Sequence, residues 1–109
     1  MSALNEQHCK PCEGGVSPLK RAAAEELLAE LEEGWAIDEA GVELDRTFRF
    51  KDYHQTIAFV NQVAMMTHQE DHHPDLEVGY NRCRVRYSTH AIGGLSQNDF
   101  ICAARIDRF

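Results

Sequence analysis

Three imidazoles and a carboxylate, His72, His73, His90 and Asp99, fall within one stretch of a chain that has only six histidines. Imidazole has the unperturbed pKa nearest neutrality, so such a cluster can hold a proton donor and a proton acceptor together at pH 7. That is equipment for acid/base chemistry without a nucleophile. A bare His72-His73-Pro74 also admits two blander readings, a metal site or solvated loop histidines beside an unrelated third. As metal ligands, His72, His73 and His90 would leave an open position for water. Adjacent histidines, however, share one ion only with awkward backbone geometry, and no carboxylate stands out as a fourth ligand.

The elements around these residues are legible from pattern. Ser17-Pro18 reads as the start of a helix, serine as N-cap and proline at the first position, where its missing N–H is no loss. Leu19, Ala23, Leu27 and Leu31, with Leu28, make one apolar stripe, and Gly34 ends the helix. Trp35-Ala36-Ile37 is a short strand, followed by a turn at Glu39-Ala40-Gly41. From Val42 to Phe50, Val42, Leu44, Phe48 and Phe50 alternate with Glu43, Asp45, Thr47 and Arg49. That is the period of an antiparallel strand with one wet face, interrupted on its apolar side only by Arg46. Asp52 and Gln55 resemble a capping box opening a helix to about Glu70, with Ile57, Val60 and Ala64 as its core face and Phe59, Val63 and Met66 flanking.

Leu76, Val78 and Tyr80, a turn near Asn81, then Cys83, Val85 and Tyr87 predict a β-hairpin with Arg82, Arg84 and Arg86 on its open face. A last helix runs from Ser96 to the carboxyl terminus, and Ser96-Gln97-Asn98-Asp99 fits a capping box. The order α-β-β-α-β-β-α predicts an α+β fold, a four-stranded antiparallel sheet with three helices packed on one face. Residues 1–16 read as a flexible leader and 17–109 as a single domain. His72 lies where a helix has ended and Pro74 forces an extended path, so stiff backbone places its ring. His90 is expected at the end of the hairpin strand, in phase with Arg84 and Ser88, away from the core.

Composition narrows the ligand. At 109 residues and 43% hydrophobic, the chain can form one core. A net charge of −7 and a pI near 5.2 argue against nucleic acid or an anionic membrane as partner, and favour a solubilising role for the arginine stripe. No apolar stretch approaches the ~20 residues of a membrane helix, and Met1 to Gly15 lacks a signal peptide's apolar core, so the cytoplasm is expected. His8-Cys9-x2-Cys12 could be half of a zinc site, but Cys83 and Cys102 stand singly in a predicted strand and helix. Two reduced leader thiols, or a transient Cys9–Cys12 disulfide, are the readings left open.

His68-x3-His72-His73-Pro74, with Tyr80, His90 and Asp99 at fixed spacing, resembles the signature of the pterin-4a-carbinolamine dehydratases. The resemblance extends to Gly34-Trp35, Ser88-Thr89-His90 and Gly94-Leu95-Ser96-Gln97-Asn98-Asp99-Phe100. Cys9-Lys10-Pro11-Cys12-Glu13-Gly14-Gly15 also resembles the leader of many bacterial members. The resemblance implies the α+β fold, assembly as a homodimer or homotetramer, and loss of water from a 4a-hydroxytetrahydropterin without metal or organic cofactor. It implies His72 and His90 as the proton-transfer pair, with acid and base left open, and His73 as the residue that holds the pterin. Asp71 and Thr89 are expected to contact its amino-pyrimidine edge. Asp99 either contacts the substrate or caps its helix, and Trp35 either edges the pterin ring or is a core aromatic. Animal members commonly carry glutamate at the position of His68. Bacterial relatives are implied to act beside phenylalanine hydroxylase, whose spent pterin they recycle. The alternative is a protein-binding role, since some animal relatives are dimerisation cofactors of a homeodomain transcription factor.

Overall fold

The computed structural model describes residues 3–10 and 17–109. Its four strands, β1 (Ala36–Ile37), β2 (Leu44–Arg49), β3 (Asp75–Val78) and β4 (Arg82–Tyr87), form one antiparallel sheet in the order β1-β2-β4-β3. Three helices, α1 (Arg21–Leu28), α2 (Tyr53–Glu70) and α3 (Gln97–Ile106), complete the expected α+β architecture. Period-two alternation separates the faces of the sheet. Leu44, Cys83, Val85 and Tyr87 are buried and join Phe59, Val63, Phe100 and Ile106 in the core. On the opposite face, Arg84 pairs with Asp45 and Glu77, and Arg86 with Glu43, Asp75 and Glu77. The arginine stripe is thus half of an ion-pair ladder. Arg46, the charged residue on the apolar side of β2, stays there by bonding Asp107 at 2.8 Å and lying 4.4 Å above the Phe48 ring.

Four expectations shift. The first helix has Lys20, not Ser17, as its N-cap. The chain before it is held instead by the Leu19 N–H, which donates to the Leu95 carbonyl at 2.8 Å, and by Pro18 against Gly94, where an added Cβ would lie 2.7 Å from the proline. The buried face of α2 is Thr56, Phe59, Val63, Met66 and Thr67, while Ile57 and Val60 are half-buried and Ala64 is exposed. A pattern of apolar residues passes over Thr56, whose hydroxyl reaches the carbonyls of Asp52 (2.8 Å) and Tyr80 (2.9 Å) and so can be buried. Asp52 caps α2 by accepting from the Gln55 N–H at 2.9 Å. Next, β4 ends at Tyr87, and His90 opens a 3-10 turn, His90–Ile92, closed by a bridge between Thr89 and Gly94.

The last change concerns the leader. Its described part, residues 3–10, is docked along α3, with Leu4 buried at the head of a 3-10 turn. Side chains of the domain body bond its backbone at Gln7, Cys9 and Lys10, and no local pattern encodes that. Residues 11–16, with Cys12 and hence the Cys9–Cys12 question, lie outside the described residues. Among the described residues no helix is long and apolar enough to cross a membrane.

Candidate active site

At its carboxyl end α2 stops in a left-handed residue, Asp71 (φ 52°, ψ 42°), and the N–H of His72 turns back to the Thr67 carbonyl at 3.2 Å. Aspartate tolerates this conformation better than most residues. The reversal throws His72 off the helix axis, and Pro74 commits the chain to β3. Tyr87, buried at the end of β4, donates its hydroxyl to the His72 carbonyl at 3.3 Å. The Tyr87 ring stacks beneath the imidazole, with centroids 5.4 Å apart and planes 8° from parallel.

Asp99 fixes the edge of the ring. One carboxylate oxygen accepts the Ser96 N–H and the Thr89 hydroxyl, both at 2.9 Å. The other lies 2.6 Å from His72 Nε2. A carboxylate can only accept, so Nε2 carries a proton and Nδ1 is the nitrogen left for a substrate. Burial works against charge on His72, but the hydrogen bond and charge of Asp99, with Asp71 further off, outweigh it and hold the pKa above the ordinary imidazole value. His72 therefore keeps its second proton further up the pH scale than a free histidine.

His72, His73 and His90 open onto one cleft of about 620 Å³, in the range of small-molecule sites. The end of α2 delivers the first two and the 3-10 turn after β4 the third. Asp71 lines the cleft too, as expected. Thr89 lines it, but its hydroxyl is turned to Asp99 and Ser96, which makes it a support rather than a substrate contact. Asp99 is fully buried and does not line the cleft, so a direct substrate contact is replaced by two supporting roles: the capping box of α3 and the anchor of His72. Trp35 is also absent from the cleft. It is a core aromatic, its Nε1–H donating to Asp107 at 2.8 Å and its ring edge-on to Phe48. Tyr80 stacks on Tyr53 at the surface, and His68 is exposed outside the cleft.

Several lining residues had no sequence signal of their own. Glu70, which appears in the sequence only as the end of the helix pattern, lies at the cleft beside Gln69, and Asn98 and the leader's Cys9 and Lys10 join it. The leader motif pointed at Cys9 and Lys10, but without periodicity it could not say where they dock. Among the described residues, no group of three or more His, Cys, Asp or Glu side chains is arranged to hold a metal ion.

Comparison with known proteins fits this geometry. The family model for pterin 4 alpha carbinolamine dehydratase matches residues 17–109. A Nitrosomonas eutropha protein provisionally named pterin-4-alpha-carbinolamine dehydratase is 64% identical over 104 residues, covering 95% of this chain and 90% of its own length. A relative of the same provisional name from Nitrosomonas europaea is 61% identical over equal shares. Among solved structures, a Brucella melitensis protein described as a transcriptional coactivator/pterin dehydratase superposes with a TM-score of 0.79 at 29% identity, covering 84% of this chain and 97% of that one. A pterin dehydratase-like protein described as a RuBisCO assembly factor of the alpha-carboxysome shares the fold at 22% identity, with a TM-score of 0.61, over 71% of this chain and 89% of its own. A match spanning the whole segment from Ser17 to Phe109, with close relatives of one name, places the chain in the pterin-4-alpha-carbinolamine dehydratase family of hydro-lyases.

Proposed function

We propose that the chain removes water from a 4a-hydroxytetrahydropterin by histidine acid/base catalysis, giving the quinonoid dihydropterin. The observation that carries this reading is His72, gripped by Asp99 and Tyr87 on the wall of a cleft that also receives His73 and His90. In the reaction the C4a–O bond and the N5–H bond break and an N5=C4a bond forms. Hydroxide is a poor leaving group, so its oxygen must gain a proton while N5 loses one. His72, whose proton Asp99 holds, is the acid that protonates the 4a oxygen from Nδ1. His90, in the same cleft, is the base that takes the N5 proton, and His73 holds the pterin with Asp71 at its polar edge. After water leaves, proton exchange with solvent restores both imidazoles. No metal or organic cofactor takes part.

The deciding experiment is dehydration of freshly generated 4a-hydroxytetrahydropterin, with the spontaneous rate subtracted. His72→Ala and His90→Ala should each lose about 10²–10⁴-fold of the enzyme-dependent rate, while His68→Ala stays near wild type. A His68→Ala variant as damaged as His72→Ala would remove the assignment. Activity that vanished with a chelator and returned with zinc would overturn the metal-free mechanism.

In the cell this chemistry recycles the pterin cofactor of an aromatic amino acid hydroxylase such as phenylalanine hydroxylase, in the cytoplasm. Loss of hydroxylase turnover when the chain is deleted would test that role. The chain is a homodimer or homotetramer, a reading supported by the exposed Tyr53, Met65, Val78 and Tyr80 on α2 and beside the β3 edge; sedimentation decides it. A protein-binding role draws support from the coactivator description of the Brucella melitensis neighbour, and it is compatible with catalysis because the cleft does not include those exposed side chains.

A further inference from the structure

The segment matched by the family begins at residue 17, yet Cys9 and Lys10 stand in the wall of the cleft. We infer that residues 7–10 form a strap that completes the pterin cleft and sets how tightly substrate is held, with Arg105, Glu70 and Asn98 as its positioning residues. This rests on the dehydratase reading of the same site.

Three anchors hold the strap, one at the end of α2 that presents His72 and two on α3, which carries Asp99. Arg105 on α3 donates to the Gln7 carbonyl from Nε at 3.1 Å and from Nη2, and Gln97 Nε2 donates to Gln7 Oε1 at 2.8 Å. Glu70, the last residue of α2, accepts the Cys9 N–H at 2.8 Å and faces His8 Nδ1 at 2.9 Å, with Arg105 4.0 Å away. Burial pushes the Glu70 carboxyl up, but the Cys9 N–H, His8 and Arg105 prevail and hold it below the usual carboxylate range. Asn98, itself buried, pairs with Lys10 as a neighbouring strand would. Its Oδ1 accepts the Lys10 N–H at 3.0 Å, and its Nδ2 donates to the Lys10 carbonyl at 2.6 Å.

Between these anchors the Cys9 sulfur packs 3.5 Å from the sulfur of Cys102, a residue that also reaches the His72 carbonyl at 3.9 Å. The strap therefore bridges the end of α2, which presents His72, and the face of α3 that presents Asp99. A segment held by several polar contacts over little apolar area opens at low cost, so its docked fraction enters the apparent affinity directly.

The test pairs steady-state kinetics with alkylation of Cys9 by iodoacetamide, located by tandem mass spectrometry. Arg105 does not line the cleft, so Arg105→Ala loosens the strap from its far end. Cys9 alkylation should then rise about tenfold and KM by a similar factor, with kcat within about twofold of wild type. Asn98→Ala should move both readouts the same way, and Gln97→Ala, which removes one exposed contact, should move both less. In the wild-type protein, a bound 7,8-dihydropterin should slow Cys9 alkylation; this readout needs neither a variant nor turnover.

Faster alkylation with unchanged KM would overturn the strap as a wall of the site. So would alkylation that neither Arg105→Ala nor Asn98→Ala accelerates, or a dihydropterin that leaves Cys9 unprotected. A wild-type protein without dehydratase activity whose Cys9 is still shielded by the pterin would refute the proposed reaction and leave the strap standing.

Discussion

Asp99→Asn isolates the support of His72 with little collateral change. The Ser96 N–H and the Thr89 hydroxyl both go to one oxygen of Asp99, so the asparagine oxygen can keep both and the α3 cap survives. The change falls on the other side, where a donor amide now faces His72 Nε2. Nε2 must then become the acceptor and the proton moves to Nδ1, which reverses the tautomer. The imidazolium also loses the buried charge that stabilised it. A charge-assisted bond of this kind contributes about 1.5–3 kcal/mol, and the lower end applies because the ring edge meets solvent. For a domain of this size that corresponds to a melting temperature about 6–12 °C lower.

The kinetic cost should be larger, about 10²–10⁴-fold in the enzyme-dependent rate, because the acid is lost over most of the working pH range. The sign of the pH effect follows from the raised pKa of His72. Stabilisation from the pair is complete below the unfolded value of ~6.5 and is lost as pH rises through the folded value. The alkaline limb of kcat should therefore move to lower pH in Asp99→Asn, and the stability gap from wild type should be widest on the acid side. Stopped-flow dehydration from pH 5.5 to 9, with NMR titration of the His72 ring, reads both. An Asp99→Asn enzyme with wild-type kcat and an unmoved alkaline limb would refute the reasoning, since His72 would then need no partner.

Other expectations follow from the same contacts. The wild-type rate should pass through a maximum with pH, falling on the acid side as the base gains a proton and on the alkaline side as His72 loses its own; a flat profile would contradict an acid/base pair. Tyr87→Phe keeps the stacked ring but deletes the 3.3 Å bond to the His72 carbonyl, so urea titration should show a loss of about 1 kcal/mol, with kcat reduced less than tenfold. Leu44→Ala, at a fully buried position opposite Tyr87, should cost about 2–5 kcal/mol in urea with an unchanged m-value. Asp107→Ala strips the shared acceptor from Arg46 and the Trp35 indole, and calorimetry should register about 2–3 kcal/mol of destabilisation with catalysis intact.

Local pattern was enough to read the element order, the two faces of β2 and β4, the cap of α3 and the three histidines that meet in the cleft. These are short-range properties: alternation, capping chemistry and the stiffness of Pro74 act within a few residues, and a spaced signature survives in the sequence whatever the fold around it. Tertiary structure decided which neighbours those residues have. Asp99, read as either a substrate contact or a helix cap, is the cap and a buried anchor as well, because the last helix brings its first turn to the edge of the imidazole of His72, 27 residues earlier. Trp35 went to the core because Asp107, at the opposite end of the chain, offers its indole an acceptor. The buried face of α2 turned by a fraction of a turn because Thr56 finds a carbonyl in the hairpin loop, which makes a polar residue buriable. The leader reads as featureless because its order comes from Glu70, Asn98 and Arg105, each more than sixty residues away, and hydrogen bonds to a distant surface leave no periodicity in the segment that receives them.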